Sequence, residues 1–334
     1  MKPFLGLRID RTPRLNMGSN NLKSSYSFFW NLAKALRVRQ WMKNFALFAG
    51  IIFSGQLTSP LSIRLTFEAF ILFCAASSSI YLLNDVFDIE RDKLHPFKSK
   101  RPIAAGKLSI NLVVSLAIVL IVVTLPVSYV ISPPLFLAIL AYLILQLFYS
   151  AYLKSIILID VMAIAAGFLL RIYAGVWVID AHLNVWFLLT VLSFALFLAI
   201  GKRRSELTLL QGQASKHSET LLHYPENFLD ILTAMFANST WLSYAFFAFL
   251  QPPISARYRL SLLFDNFSLP FTQAKFLMAT VPLVIYGVMR YLYIIYEKKE
   301  GESPERVLLT DKPLLITVIL WILSVVGIIY YLGA

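Results

Sequence analysis

Asn84, Asp85, Asp88 and Asp92 stand at a spacing that can hold a hard cation. They open the segment Asn84–Lys107, N-D-V-F-D-I-E-R-D-K-L-H-P-F-K-S-K-R-P-I-A-A-G-K, the densest polar stretch of a very apolar sequence. On a helix turning about 100° per residue, Asp85, Asp88 and Asp92 fall within an arc of roughly 60°, with Asn84 about 40° beyond Asp88 and Glu90 pointing away. Three carboxylates on one face repel one another unless a cation lies between them. Oxygen ligands at this spacing suit Mg²⁺, whose shell is usually completed by waters and substrate phosphates. Lys98, Lys100, Arg101 and Lys107 follow at once and can neutralise phosphate oxygens. The competing reading is a solvated helix end of mixed charge. A place at the end of an apolar run, with a basic loop directly after it, favours the metal and diphosphate.

Further groups lie elsewhere in the chain. Tyr149, Ser150 and Lys154 sit between two apolar runs, and Asp160 and Arg171 lie inside the second of them. An ionisable group in lipid is costly and normally faces the bundle interior. Eleven residues bring Arg171 back to within about 20° of the face of Asp160 but some 16 Å along the axis. Asp160 is open between a substrate or metal contact and a structural partner for Lys154; Arg171 reads as an interhelical tie. In Gly201-Lys202-Arg203-Arg204-Ser205-Glu206, Lys202 and Glu206 can form a helix-surface pair, worth a few tenths of a kcal/mol. The functional alternative is a second phosphate site with Glu206 assisting a metal or a sugar hydroxyl. Arg37, Arg39 and Trp41 read as an interfacial anchor, whereas Lys43 and Asn44 sit deeper. The four histidines have no metal-ligand spacing, and no nucleotide loop or nucleophile elbow is present.

The elements that must position these groups are membrane spans. The chain has 334 residues, 58% hydrophobic and 14% charged, with a mean hydropathy of +0.71. No soluble domain of this length hides so much apolar surface, so the fold class is an all-α polytopic membrane protein. Hydropathy gives about nine transmembrane helices, near 40–57, 65–89, 110–131, 134–150, 156–179, 184–201, 227–251, 271–296 and 313–332. Residues 1–30 form a basic, flexible arm without a cleaved signal peptide, and 31–334 a single domain. The net charge is +12, but 24 of the 30 Lys and Arg fall on the side of the N-terminus and 4 opposite. That distribution argues against nucleic acid as a partner. It predicts a multi-pass protein of the inner (cytoplasmic) membrane with a cytoplasmic N-terminus and an external C-terminus. The polar motifs gather on the cytoplasmic side. A transporter would place its ionisable groups near the midplane and serve both faces, so an enzyme is favoured over a transporter or a non-catalytic lipid-binding protein. The single Cys74 permits no intrachain disulfide.

N-D-V-F-D-I-E-R-D closing a second span resembles the first signature of the UbiA superfamily of intramembrane prenyltransferases, N-D-x-x-D-x-x-x-D. The resemblance covers residues 30 to 332 and implies a nine-helix bundle with a cytoplasmic active site. Where aromatic prenyltransferases of that superfamily carry a second D-x-x-x-D, this chain reads G-K-R-R-S-E. Together with R-P-I-A-A-G-K-L-S, Y-S-A-Y-L-K and E-S-P-E-R-V-L-L-T-D-K-P, it is similar to the decaprenyl-phosphate phosphoribosyltransferase branch. That resemblance implies transfer of 5-phosphoribose from phosphoribosyl diphosphate (PRPP) to a polyprenyl phosphate, with Mg²⁺ as cofactor. It implies Asp85, Asp88 and Asp92 as metal ligands and catalytic groups. Asn84, Lys98, Arg101, Tyr149, Lys154, Asp160, Lys202, Arg203 and Glu206 would contact substrate. PRPP carries phosphates at both ends and needs a second anion site, which the K-R-R cluster can supply. The alternative is prenyl transfer from a prenyl diphosphate to an aromatic acceptor. The lipid bilayer is a partner in either case, and a homo-oligomer stays open.

Overall fold

The computed structural model describes residues 27–94, 98–209, 224–251, 275–298, 301 and 303–332. Most of the expected N-terminal arm, and the expected external cations Arg257 and Arg259, lie outside them. Among the described residues every regular element is helical.

A helix over 27–35 (α1) leads into a 3-10 segment, Val38–Leu47, and a short helix α2, Phe48–Phe53. Then come α3 (Pro60–Phe87), α4 (Ile89–Leu94), α5 (Ile110–Ile131), α6 (Pro133–Ala151), α7 (Ile159–Trp177) and α8 (Val185–Leu209). The last third holds α9 (Glu226–Leu250), α10 (Val281–Tyr293), α11 (Pro304–Thr310) and α12 (Lys312–Gly327). Ser59 and Ser109 cap α3 and α5 by accepting from the amides of Ser62 and Leu112, and Asp311 caps α12 through the amide of Leu314. Each satisfies a donor that the first helical turn leaves without a partner.

Among the described residues seven helices are long and apolar enough to cross a membrane: Pro60–Phe87, Ile110–Ile131, Pro133–Ala151, Ile159–Trp177, Val185–Thr208, Phe276–Lys298 and Lys312–Tyr331. The count of nine expected from hydropathy is not reached by that measure, and both departures have a physical reason. The first expected span divides into a 3-10 half and an α half, neither of which is long enough by itself to cross. Helix α9 is long, but Glu226, Asp230 and several Asn, Ser and Thr residues dilute its apolar character.

Outward faces are greasy: Ile118, Val119, Val122, Val123 and Val130 of α5 are all exposed, as a lipid-facing helix requires. Inside, α3 packs along α5 and α8 along α9. Leu47, Ile51, Phe73, Ile80, Ile139 and Tyr142 form one core between the first segment, α3 and α6. A β-carbon on Gly175 of α7 would fall 2.0 Å from the Leu47 carbonyl oxygen, and one on Gly50 would fall 3.0 Å from the Gly175 backbone. The two backbones therefore meet without side chains between them. This contact seats the 3-10 segment deep against α7 and fixes where Arg37, Gln40, Lys43 and Asn44 project.

Candidate functional site

The acidic motif is built at a helix break. Helix α3 ends at Phe87, Asp88 takes a non-helical conformation (φ −93°, ψ 6°), and α4 restarts at Ile89. Helical hydrogen bonds still run through it, from the Asp88 amide to the Asn84 carbonyl at 2.9 Å and from the Asp92 amide to the Asp88 carbonyl at 2.8 Å, so the three aspartates stay near one face. Asp85 and Asp92 are buried on one side, each 3% exposed, while Asp88 sits at the rim with its side chain 34% exposed. Arg101 Nη1 donates to Asp92 Oδ2 at 2.6 Å and to Asp85 Oδ1 at 3.1 Å. Arg37 Nη2 donates to the same Asp85 oxygen, and its guanidinium lies 4.7 Å from the centre of the Tyr81 ring. Lys154 Nζ stands 3.9 Å from Asp88 Oδ1, which joins the loop after α6 to the acidic break. Asn84 is partly buried beside the motif, Lys98 is exposed on the following loop, and Glu90 faces away towards Lys93.

A second cluster lies where α7, α8 and the start of α9 meet. Asp160 is fully buried in the first turn of α7 and accepts from Arg203 Nε at 2.9 Å and from the Tyr224 hydroxyl at 2.7 Å. Burial comes first among the causes that push the Tyr224 phenol up, and its bond to Asp160 pushes the same way. Arg203 Nη1 also donates to Glu206 Oε2 at 2.8 Å, and Lys202 Nζ is 3.5 Å from Glu206 Oε1. Tyr149 lies within electrostatic reach of Arg203. Arg204 turns away, pairing with Glu226 and Asp230.

Several expectations change here. Asp160 is not the partner of Lys154: its partners are Arg203 and Tyr224, and Lys154 faces Asp88. Asp160 also stands at the end of its helix rather than well inside it. Arg37, read as an interfacial anchor, instead holds Asp85. Its left-handed backbone (φ 52°) turns the side chain inward where the helix of 27–35 gives way to the 3-10 segment. Trp41 donates to Ser78 of α3 at 3.0 Å. Arg171 is the interhelical tie expected of it, donating to Asn44 Oδ1 at 2.7 Å, the Tyr142 hydroxyl at 2.9 Å and the Gly167 carbonyl at 2.7 Å.

Glu305, Gln40 and Tyr224 were not among the expected site residues, although Glu305 lies in the E-S-P-E-R-V-L-L-T-D-K-P stretch. Glu305 on α11 reaches back over the first segment, accepting from Gln40 Nε2 at 2.6 Å and facing Lys43 Nζ at 3.9 Å. Burial alone would raise its pKa, but Lys43 and Gln40 hold the carboxyl below the ordinary value.

Among the described residues no three His, Cys, Asp or Glu side chains converge closely enough to hold a metal. Of the expected ligand trio, Asp85 and Asp92 are drawn together by Arg101, and Asp88 lies at the rim beside Lys154. Two buried carboxylate oxygens converging on one cationic nitrogen is nonetheless the donor set that a hard divalent ion takes, with phosphate oxygens supplying the rest.

The UbiA prenyltransferase family model matches residues 44–208. A protein of Mycolicibacterium smegmatis named decaprenyl-phosphate phosphoribosyltransferase is 33% identical over 90% of this chain and 92% of its own length. One of the same name from Corynebacterium glutamicum is 31% identical over 90% of this chain and 86% of its own. A solved structure of a UbiA homolog from Archaeoglobus fulgidus bound to GPP and Mg²⁺ superposes with a TM-score of 0.65 at 21% identity, covering 90% of this chain and 99% of that one. At that identity it speaks for the fold.

Proposed function

The chain belongs to the UbiA prenyltransferase family, and from that premise we propose that it transfers 5-phosphoribose from PRPP to a polyprenyl phosphate. The transferase class and the membrane setting come with the family. The observation that carries the particular reaction is the second cluster. Lys202 and Arg203 stand there, paired with Asp160 and Glu206. A prenyl diphosphate has its phosphates at one end only, so Lys202 and Arg203 have no second phosphate to meet on it. PRPP has an anion at each end.

In this reading the diphosphate of PRPP lies at the acidic break. Asp85 and Asp92 would hold Mg²⁺ there, with Asp88 at the rim, and the ion would neutralise the leaving diphosphate. Arg101 and Arg37 already place guanidinium groups against the same carboxylates. They are positioned to pass to phosphate oxygens as charge builds on the leaving group. The bond from ribose C1 to the diphosphate oxygen breaks, and a bond from C1 to a lipid phosphate oxygen forms from the opposite face. The nucleophile arrives as an anion, so no general base is needed. Lys202 and Arg203 would face the 5-phosphate, with Tyr149 and Lys154 lining the path between the clusters. The lipid tail would run between the apolar helices. We also propose the orientation set by the charge distribution: N-terminus on the cytoplasmic side of the inner membrane, with both clusters facing the soluble donor.

The deciding experiment supplies membranes carrying the full chain with labelled PRPP or with labelled prenyl diphosphate, each with Mg²⁺ and a polyprenyl phosphate or an aromatic acceptor. Label passing from PRPP to the lipid is expected. Consumption of prenyl diphosphate with PRPP untouched would assign the chain to prenyl transfer instead.

A further inference from the structure

Between the 3-10 segment, α8, α10 and α11 lies a polar cluster from which the reaction above draws Lys202 and Arg37 but leaves Lys43, Gln40, Tyr291 and Glu305 without a role. Lys43 Nζ has Lys202, Arg171 and Arg37 within electrostatic reach, and the carboxylate facing it is Glu305, at 3.9 Å. The Tyr291 hydroxyl, on a side chain 4% exposed, has no hydrogen-bond partner, and neither has Gln40 Oε1. Both polar atoms are withdrawn from water, and an unmade bond at such an atom costs roughly 1–3 kcal/mol. Tyr291 lies within electrostatic reach of Glu305, so the orphan hydroxyl, the two lysines and the carboxylate share one neighbourhood.

A single carboxylate serves this cluster poorly. It takes the Gln40 amide at 2.6 Å, stands too far from Lys43 for a hydrogen bond, and leaves Tyr291 unanswered. A phosphomonoester is larger, carries up to two negative charges, and has three terminal oxygens. It can accept from Lys43, Lys202 and Tyr291 together and, singly protonated, donate to Gln40 Oε1. We propose that Lys43, Lys202, Gln40 and Tyr291 form a phosphomonoester subsite, and that Glu305 occupies it as an internal anion until substrate displaces it. This rests on the phosphoribosyl-transfer reading for the identity of the ligand, since the donor's 5-phosphate and the lipid's head group are both phosphomonoesters.

The test uses the detergent-purified full chain with inorganic phosphate as the probe, followed calorimetrically. Saturation curves for PRPP and for the polyprenyl phosphate run alongside. Lys43→Met is expected to weaken phosphate binding ten- to a hundred-fold, the loss of one charge-assisted contact. Tyr291→Phe, which keeps the ring, should weaken it about two- to ten-fold. Glu305→Gln should tighten it, because the competing charge is gone. A KM increase confined to PRPP identifies the 5-phosphate as the occupant; one confined to the lipid identifies the head group. Wild-type phosphate affinity in both Lys43→Met and Tyr291→Phe overturns the subsite, as does a Glu305→Gln chain that binds phosphate no more tightly. Should Lys43→Met fail to fold, the other two variants decide. Phosphate binding that depends on Lys43 in a protein inert to PRPP keeps the subsite and removes the reaction proposed above.

Discussion

Arg101 Nη1 lies 2.6 Å from Asp92 Oδ2, so a residue nine positions downstream supplies the positive charge that the acidic break requires. The same nitrogen reaches Asp85 at 3.1 Å. With Asp85 and Asp92 each 3% exposed, that charge cannot be replaced by water without a large desolvation cost. Arg101→Met should therefore lower thermal stability in the absence of divalent ions. Mg²⁺ should restore more of the melting temperature in the variant than it adds to the wild type, since it then finds Asp92 unpaired and Asp85 held by Arg37. Turnover should fall roughly ten- to a hundred-fold with Mg²⁺ present, the value of one charge-assisted phosphate contact, and Arg101→Lys should recover part of it. Equal Mg²⁺ shifts in wild type and Arg101→Met would place the ion elsewhere.

The helix break ranks the acidic residues. Asp85→Asn and Asp92→Asn remove the converging pair and should abolish Mg²⁺-dependent transfer. Asp88→Asn, at the rim beside Lys154, should retain measurable turnover with a higher KM for the donor. Glu90→Gln, on the outward face with Lys93, should match the wild type. Initial rates over a Mg²⁺ titration check the order. Asp88→Asn as dead as Asp92→Asn would mean that the ion draws all three carboxylates together.

The acidic motif, its basic follower and the mixed-charge cluster near the end of α8 were legible because charge is conspicuous in an apolar chain. The partnerships were not. Asp160 pairs with Arg203, 43 residues on, and Glu305 with Gln40, 265 residues back. No periodicity links such positions, because helix packing makes them neighbours. Arg37 was misread because its inward turn depends on a left-handed residue between two helical segments, which hydropathy does not see. The first and seventh expected spans fall outside the seven counted by length and composition, because the first divides into a 3-10 and an α half and the seventh carries Glu226 and Asp230.

The Asp160–Arg203 pair should behave as a buried ion pair. Asp160 is fully buried and Arg203 is 12% exposed, so removing one partner strands the other's charge. Asp160→Asn is expected to cost about 3–5 kcal/mol, softened because Glu206 still answers Arg203. Arg203→Met alone should also destabilise, and Asp160→Asn/Arg203→Met should cost less than the sum of the two. Denaturation of all four proteins in one detergent closes the cycle. Additive costs would show that the two side chains do not stabilise each other.

Asp311 gives the acid limb of stability a specific origin. It caps α12 through the amide of Leu314 at 3.1 Å, accepts two bonds from Arg290 at 2.9 and 3.0 Å, and one from Lys298 at 2.8 Å. The bonds from Arg290 are the largest cause holding its carboxyl well below the ordinary value of 3.8; burial opposes them, and Lys298 and the Leu314 amide add to them. A carboxyl depressed in the fold binds its proton more readily in the unfolded chain. Its stabilisation is therefore complete above about pH 4 and drains away as the pH falls from there through the lowered folded value. Asp311→Asn keeps a competent cap but loses the charge, and should cost about 1.5–3 kcal/mol at pH 7. Asp311→Ala should cost about 0.5–2 kcal/mol more, the value of the cap. The difference between wild type and Asp311→Asn should stay level from pH 7 to pH 5 and shrink only below about pH 4. Unfolding measured at half-unit pH intervals tests this, and a gap that already closes between pH 7 and pH 5 would remove Asp311 as the cause.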